Sequence, residues 1–413
     1  MPKKVAIVAS LDSKEAEVLF VKEEIERQGC QTLIIDVSLL GKSAIVPDVS
    51  RESVLRAGGR DWASLQDRPK HEKLAAMSEG ASRLAPELYR GGRFDAILSI
   101  GGVQNTLIGV AAMKSLPLGV PKLMVSTVAS GQRTFEPLVG SKDVILLPSV
   151  ADIAGINSLT RTILKNAVAA IVGMALHGGT PLCGGNRPII GATQMGVTHG
   201  VAQAVKLLEN EGYEVISFHA TGTGGRAMEE LIAQGTIKAV MDLTLHEIVA
   251  EMFQGGFSAG ANNRLVAAGK AAIPQVVAPG GADFIDFGAH ELPADIARRK
   301  YILHNAEIAH IKLHKEEIVR VGSIIAERLN ASQGPVTVLL PLCGFRQAAA
   351  KGEPLWDAEV DGALMEVLRR RLKPAIKVVE IDANINDRKF SEAAAAAMCE
   401  LLAEKQEWRC SAS

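Results

Sequence analysis

Short apolar runs alternate along the chain with amphipathic stretches and with loops rich in glycine or hydroxyl side chains. In the first half, the apolar runs predict strands at 5–10, 32–37, 94–100, 122–127 and 144–147. Between them the pattern predicts helices at 14–28, 68–90 and 157–177, and a long polar loop at 41–66. Short apolar strands separated by helices are typical of a parallel sheet. The first half is therefore expected to form an α/β lobe.

The second half repeats this alternation after a cluster of glycine and proline. Its predicted strands are 189–193, 214–219, 238–242, 275–278, 336–340 and 376–381. Its predicted helices are 199–211, 226–234, 246–253, 307–330 and an alanine-rich helix that follows Phe390. Because Gly and Pro interrupt regular structure, 178–187 is predicted to be a connector between an N-terminal lobe, 1–180, and a C-terminal lobe, 188–405. We expect two three-layer, Rossmann-like lobes with mainly parallel sheets and a ligand in the cleft between them.

Length and composition argue against several classes of function. A chain of 413 residues is too long for one ordinary core. The net charge of −1 and the aromatic content of 4% give no reason to expect nucleic acid or an anionic membrane as a partner. No apolar run reaches bilayer length, no signal peptide is recognised, and the scattered cysteines form no CxxC pair, so we expect a cytoplasmic protein with reduced thiols.

Several predicted strands run into loops whose residues suit an anion. Backbone N–H groups at a helix N-terminus and the helix dipole both favour negative charge, and glycine lets a ligand approach the backbone. None of these loops is a GxGxxG fingerprint, so a dinucleotide site is not indicated. The candidate ligand-binding residues are Asp12, Ser13, Lys14, Gly101, Gly102, Gln104, Asn105, Thr106, Ser126, Thr127, Ser130, Gly131, Thr221, Gly222, Thr223, Gly224, Gly225, Arg226, Gly280 and Gly281.

Acidic residues near the strand exits are candidates for binding magnesium or for general-base work. Asp12 and Asp242 are the candidate metal ligands, and Asp12, Lys14, Asp242 and Glu247 are the catalytic candidates. Acids are also common at helix starts for electrostatic reasons alone, so a structural role stays open for each.

Two histidine patterns are weak candidates for metal sites. The sequence that starts at His246 begins like a zinc-protease HExxH motif, but Ala250 replaces the second histidine. His310 and His314 would share one face of the helix predicted over 307–330, where a solvated basic face is favoured over a metal site.

Taken together, these motifs resemble those of the UPF0261 family of bacterial and fungal proteins, which is similar to the N-terminal ATP-binding domain of the tomato mosaic virus resistance protein Tm-1. The segments that carry the resemblance are 8–14, 119–127, 218–229, 242–244, 258–260, 334–336 and 385–387. The resemblance implies a two-lobed α/β homodimer whose loops bind ATP. It does not supply an established reaction.

Three hypotheses of function remain open. The first is an enzyme that uses ATP and Mg²⁺ for phosphoryl or adenylyl transfer to a small metabolite, with Lys14 and Arg226 neutralising charge and Asp12 or Asp242 holding the metal. The second is a nucleotide-dependent binding or regulatory protein without turnover. The third is an ATP-independent enzyme that acts on a small carboxylate, since a cradle for phosphate also suits a carboxylate. If Gly225 contacts the anion outside the core, Gly225→Asp is expected to abolish binding and leave the fold intact.

Overall fold

The computed structural model describes residues 2–41, 43–129, 136–179 and 187–411. The chain divides into two compact units, Met1–Cys183 and Gly184–Ser413. Unit 1 contains, in chain order, β1 (Lys4–Ala9), α1 (Leu11–Arg27), β2 (Gln31–Asp36), α2 (Arg51–Ala57), α3 (Trp62–Leu65), α4 (Lys70–Arg90), β3 (Ala96–Gly101), α5 (Val103–Lys114), β4 (Lys122–Ser126), α6 (Glu136–Val139), β5 (Ile145–Pro148) and α7 (Ser158–His177).

The sheet of unit 1 is parallel and is covered by helices on both faces. Its strand order is β2-β1-β3-β4-β5, with β1 paired to both β2 and β3. Alternate residues of β1 enter opposite cores: Val5 and Ile7 pack with α1 and α7, and Ala6 and Val8 pack with α4 and α5. This burial on both faces explains why the strands are continuous apolar runs.

Helix α7 is the most apolar long helix of this unit. By length and composition it is the one helix among the described residues that passes a test for a membrane span. Its side chains Leu164, Val168 and Ile171 are buried in the core that also contains β1, β3 and β4. Core packing therefore accounts for the apolar side chains on this face of the helix.

Unit 2 follows the same plan and adds a small antiparallel sheet. Its elements are β6 (Ile189–Gln194), α8 (Thr198–Asn210), β7 (Glu214–His219), α9 (Thr223–Ala233), β8 (Ile237–Thr244), α10 (His246–Phe253), α11 (Val266–Lys270), β9 (Gln275–Gly280), β10 (Phe284–Gly288), β11 (Tyr301–Leu303), β12 (Ile308–Lys312), α12 (Lys315–Asn330), β13 (Val336–Pro341), α13 (Ala358–Arg371), β14 (Lys377–Ile381) and α14 (Arg388–Ser411). The large sheet is parallel with order β14-β13-β9-β8-β6-β7, and the small sheet has order β10-β12-β11. The predicted α/β class with two Rossmann-like parallel sheets is confirmed.

The small antiparallel sheet corrects one prediction. The helix expected over 307–330 begins only at Lys315, because 308–312 pairs with β10 and β11 as strand β12. His310 therefore lies on a strand and His314 is the N-cap of α12, so the two histidines do not share a helix face.

Two further differences concern helices. The segment 41–66, expected to be a loop, contains α2 and α3, whose N-caps Ser50 and Asp61 accept hydrogen bonds from the first turns. Helix α13 was not predicted, although Asp357 caps it and basic residues fill its last turn. Both signals are local polar caps rather than apolar periodicity, which is why a pattern of apolar positions misses them.

Candidate functional site

In unit 1 the predicted polar residues meet at the carboxyl edge of the sheet, where open α/β sheets bind ligands. Ser10, at the end of β1, donates a hydrogen bond to Asn105 Oδ1 at 2.6 Å and accepts one from Gln104 Nε2 at 3.0 Å. The hydroxyl groups of Thr106 and Ser126 are 2.7 Å apart. The structure therefore brings the exits of β1, β3 and β4 together, as the parallel topology requires.

The start of α5 is the open part of this edge. Gly102 is the N-cap residue, with φ −83° and ψ −161°. No described side chain accepts a hydrogen bond from the N–H groups of residues 103–105 in the first turn. Gly101 has φ +145°, and Asn105 packs so closely against it that an added Cβ would lie 2.5 Å from Asn105 Nδ2. A Cβ at Gly102 would instead lie 3.6 Å from Thr127 Oγ1, its nearest neighbour. The Thr127 hydroxyl thus lies beside Gly102, at the N-terminus of α5.

The neighbouring predicted residues of α1 are engaged in local structure. Asp12 lies in the first turn of α1, and its carboxylate accepts hydrogen bonds from the N–H groups of Leu40 at 3.1 Å and Gly41 at 2.9 Å. Lys14 Nζ donates to the carbonyl of Ile153 at 2.5 Å. Ser13 is exposed in the same turn.

Two other predicted residues, Ser130 and Gly131, lie outside the described residues, as does most of the predicted connector 178–187.

In unit 2 the glycine-rich loop before α9 already binds an anion supplied by the protein. Glu247, in the first turn of α10, accepts hydrogen bonds from Gly222 N–H at 2.6 Å and Gly225 N–H at 3.1 Å. Gly225 is buried, and an added Cβ would lie 1.9 Å from Glu247 Oε2. The prediction that Gly225 lies outside the core is therefore wrong, and Gly225→Asp is expected to disturb the fold because a side chain there displaces a buried carboxylate.

Arg264 joins Glu247 to two further acids. Its guanidinium is fully buried, donates through Nη2 to both oxygens of Asp242 at 2.7 and 2.6 Å, and pairs through Nη1 with Glu247. Glu229 lies 3.5 Å from Arg264 Nε, and Thr193 Oγ1 donates to Asp242 at 2.6 Å. Burial opposes the charge of Arg264, but the surrounding carboxylates raise its pKa above the usual value. Burial also raises the pKa of Glu229.

This network bears on the predicted catalytic and metal roles. Asp242 does not fit as a magnesium ligand, since both its oxygens accept from Arg264, and Glu247 is engaged by Arg264 and the loop before α9. Among the described residues, no group of three or more His, Cys, Asp or Glu side chains is placed to hold a metal ion. Asp242 and Glu247 are thus placed to fix the strand exits of unit 2.

The remaining predicted residues of unit 2 make close backbone contacts. Arg226 Nη1 donates to the carbonyl of Gly260 at 3.2 Å, and Thr221 N–H donates to the carbonyl of His219 at 2.8 Å. A Cβ at Gly224 would lie 2.0 Å from that same carbonyl oxygen. Thr223 is the exposed first residue of α9.

Glycine at the exit of β9 serves tight packing in the same way. A Cβ at Gly280 would lie 2.1 Å from the carbonyl oxygen of Leu243, and Gly281 N–H donates to the carbonyl of Phe345 at 3.2 Å. Glycine is required at 280 for close packing, and at 281 the backbone has φ +63°, a region that favours glycine.

Arg264 is the residue that sequence reasoning missed. It follows Asn262 and Asn263 in a polar stretch that looks like a solvated loop. Buried arginine is rare unless it is paired, and its partners Asp242 and Glu247 are distant in sequence. The sequence places Asp242 and Glu247 near strand exits, but no local sequence pattern pairs them with Arg264.

Comparison with known proteins places the chain in a family. Sequence profiles of the uncharacterised protein family UPF0261 match residues 3–179, as its N-terminal domain, and 187–402, as its C-terminal domain. A UPF0261 protein of Clostridium tetani is 40% identical over 406 residues, which cover 97% of this chain and 100% of that protein. The ToMV resistance protein Tm-1(GCR237) of Solanum lycopersicum is 35% identical over 326 residues, which cover 76% of this chain and 42% of that protein.

Solved structures are less similar. UDP-N-acetylglucosamine 2-epimerase from Rickettsia bellii aligns over 99% of this chain and 98% of its own with 12% identity and a TM-score of 0.25. The assignment depends on the two family domains and on the curated relatives, which agree along nearly the whole chain. The chain belongs to the UPF0261 family.

Proposed function

We propose that the protein binds a nucleotide, ATP with Mg²⁺, and that the phosphates lie at the N-terminus of α5 in unit 1. The observation that carries this proposal is a contrast between the two units. In unit 2 the N–H groups at the start of α9 are capped by the Glu247 carboxylate. In unit 1 no described side chain accepts a hydrogen bond from the N–H groups of Val103, Gln104 or Asn105 at the start of α5. A free helix N-terminus beside glycine is suited to an anion.

The groups around Gly102 support a phosphate at this position. Thr127 Oγ1 lies beside Gly102, and Gln104 is held at the edge of the sheet by its bond to Ser10. Gly102 is half-buried and Val103 is 45% exposed, so the first turn of α5 is reached from solvent. Hydroxyl, amide and backbone donors together resemble the neutral part of a phosphate cradle.

We propose nucleotide binding without a catalytic step. The acids expected to catalyse transfer, Asp242 and Glu247, are engaged with Arg264, and Lys14 is bonded to a backbone carbonyl. Nothing in the described geometry favours phosphoryl or adenylyl transfer over regulation by a bound nucleotide. A Mg²⁺ ion would arrive with the phosphates, since no protein cluster for it is present among the described residues.

Thermal denaturation of the full chain tests this function. MgATP at a hundred times its dissociation constant is expected to stabilise the folded state by about 2.7 kcal/mol. Adenosine, which lacks phosphates, is the matched control and should produce a much smaller shift. Equal shifts with adenosine and MgATP would show that the phosphates are not recognised, and no shift with millimolar MgATP would contradict nucleotide binding.

A further inference from the structure

A second cluster of polar side chains surrounds one aromatic ring in unit 2. The imidazole of His246 stacks on Phe284, with centroids 4.0 Å apart, and Arg346 Cζ lies 3.6 Å from the centroid of the same ring. Asp286 lies on β10 with Phe284. The ring centroid of His310, on β12, is 4.6 Å from that of Phe284. None of these residues belongs to the nucleotide site proposed in unit 1.

Three buried atoms of this cluster form no hydrogen bond among the described residues, and two of them, on His246 and Asp286, face each other at 3.3 Å. They are His246 Nε2, Asp286 Oδ1 and Arg346 Nη2. Their residues are 0%, 5% and 2% exposed. Buried polar groups in proteins are nearly always hydrogen-bonded, so orphaned atoms need an explanation. Their concentration around a single ring points to recognition of a polar ligand.

The hydrogen bonds of His246 define what its free nitrogen can do. His246 Nδ1 lies 3.0 Å from the carbonyl oxygen of Gly281, which only accepts, so Nδ1 carries a proton. Nε2 faces Asp286 Oδ1 at 3.3 Å, a long polar contact. Although burial opposes ionisation, His246 and Ser258 hold the pKa of Asp286 below its usual value. Asp286, as a carboxylate, can therefore accept a hydrogen bond from a hydroxyl group.

Arg346 presents one unused edge of its guanidinium. Its Nε donates to Asp283 at 3.2 and 3.3 Å, and Nη1 lies 3.3 Å from His310 Nδ1. Burial, and then the charge of Arg346, lower the pKa of His310 to about 3, so this ring is neutral and accepts. Nη2 is left as a cationic donor, which suits an oxyanion.

The cluster is connected to the surface through stacked imidazoles. His310 is half-buried, and its ring stacks on the exposed ring of His304 with centroids 4.5 Å apart. A ligand that displaces the outer ring would meet His310 next, whose Nδ1 lies 3.3 Å from Arg346 Nη1.

We propose that this cluster binds a small hydroxylated oxyanion, in which Arg346 Nη2 holds the anionic group and His246 with Asp286 holds the hydroxyl. A carboxylate and a phosphate ester share this chemistry. Glycerate and glycerol phosphate distinguish them, because both carry hydroxyl groups and they differ in the anion. Glycerol, which has no anion, is the negative probe.

The experiment is calorimetric titration of the full chain, with NMR of the histidine imidazoles to locate binding. One of the two anionic probes is expected to bind and to shift the signals of His246 and His310. Arg346→Lys keeps a cation beside Asp283 and removes the Nη2 edge, so it should weaken binding at least tenfold. Arg320→Lys, on an exposed residue of α12, should leave binding unchanged.

A second variant protects the test against loss of folding. If Arg346→Lys is unfolded by circular dichroism, His246→Asn takes its place, because its amide can still donate to Gly281. Unchanged affinity in the folded variant, or no shift of either imidazole with any probe, overturns the proposal. Loss of probe binding in Gly102→Asp also overturns it, because binding would then occur in unit 1.

Discussion

Gly225→Ala is expected to destabilise unit 2 strongly even though alanine favours helices. The added Cβ would lie 1.9 Å from Glu247 Oε2 and 2.7 Å from Oε1, far inside van der Waals contact. The carboxylate must therefore move away from the N–H groups of Gly222 and Gly225, which it now accepts from at 2.6 and 3.1 Å. The Glu247 carboxylate is fully buried against Arg264, so it cannot rotate into solvent.

The magnitude follows from the bonds that are lost. Each hydrogen bond to a charged group contributes about 1.5–3 kcal/mol, and replacing glycine by alanine in a helix returns about 1 kcal/mol. The expected net loss is about 2–5 kcal/mol of unfolding free energy. Gly362→Ala in α13 is the matched control, because nothing lies within 4 Å of its added Cβ. This control should gain up to about 1 kcal/mol.

Urea denaturation followed by circular dichroism measures both variants. Calorimetry should accompany it, because two units can unfold in separate transitions and a single free energy is then undefined. A Gly225→Ala protein within about 0.5 kcal/mol of wild type would refute the assignment of Glu247 as the internal anion of this loop.

Two smaller predictions concern buried charges. Burial raises the pKa of Asp361 to about 7 despite its bond to Lys312. Asp361 therefore binds its proton more tightly in the folded protein than in the unfolded chain, so the free energy of unfolding falls as the pH rises from about 4 to about 7. The urea midpoint of Asp361→Asn should not fall over this pH range. Parallel pH curves for wild type and variant would contradict this prediction. Lys122 Nζ, fully buried, donates to the carbonyls of Pro117 and Val120 at 2.7 and 2.8 Å. Lys122→Met should cost unit 1 about 2–4 kcal/mol in thermal denaturation, and a loss below about 0.5 kcal/mol would argue against that role.

The sequence was sufficient for features that depend on local periodicity. Strands such as β1 and β8 are buried on both faces and read as apolar runs, and their parallel pairing places the following loops at one edge. The same periodicity wrongly predicts a helix over residues 308–312. Ile308 and Ile311 also fit a helical spacing, and the strand forms because β10 and β11 pair with it.

The functional assignment of the glycine-rich loops required contacts that no local pattern contains. The loop before α9 is one of the predicted anion sites, yet Glu247 occupies its N–H groups because Arg264 fixes that carboxylate in the core. The turn at Gly102 is the one whose following N–H groups, on residues 103–105, donate to no described side chain. Which of two similar loops is free for a ligand depends on tertiary ion pairs, and these are set by residues far away in sequence.

Calorimetric titration of MgATP into wild type, Gly102→Ala and Gly102→Asp tests the central claim most directly. Gly102 has φ −83° and room for a side chain, so both variants should fold. Aspartate is a preferred N-cap residue, and its carboxylate would occupy the N–H groups offered to phosphate. We predict that wild type and Gly102→Ala bind MgATP with similar affinity and that Gly102→Asp loses at least tenfold, about 1.4 kcal/mol, with undiminished thermal stability. Undiminished binding by a folded Gly102→Asp protein would contradict a nucleotide site at the start of α5.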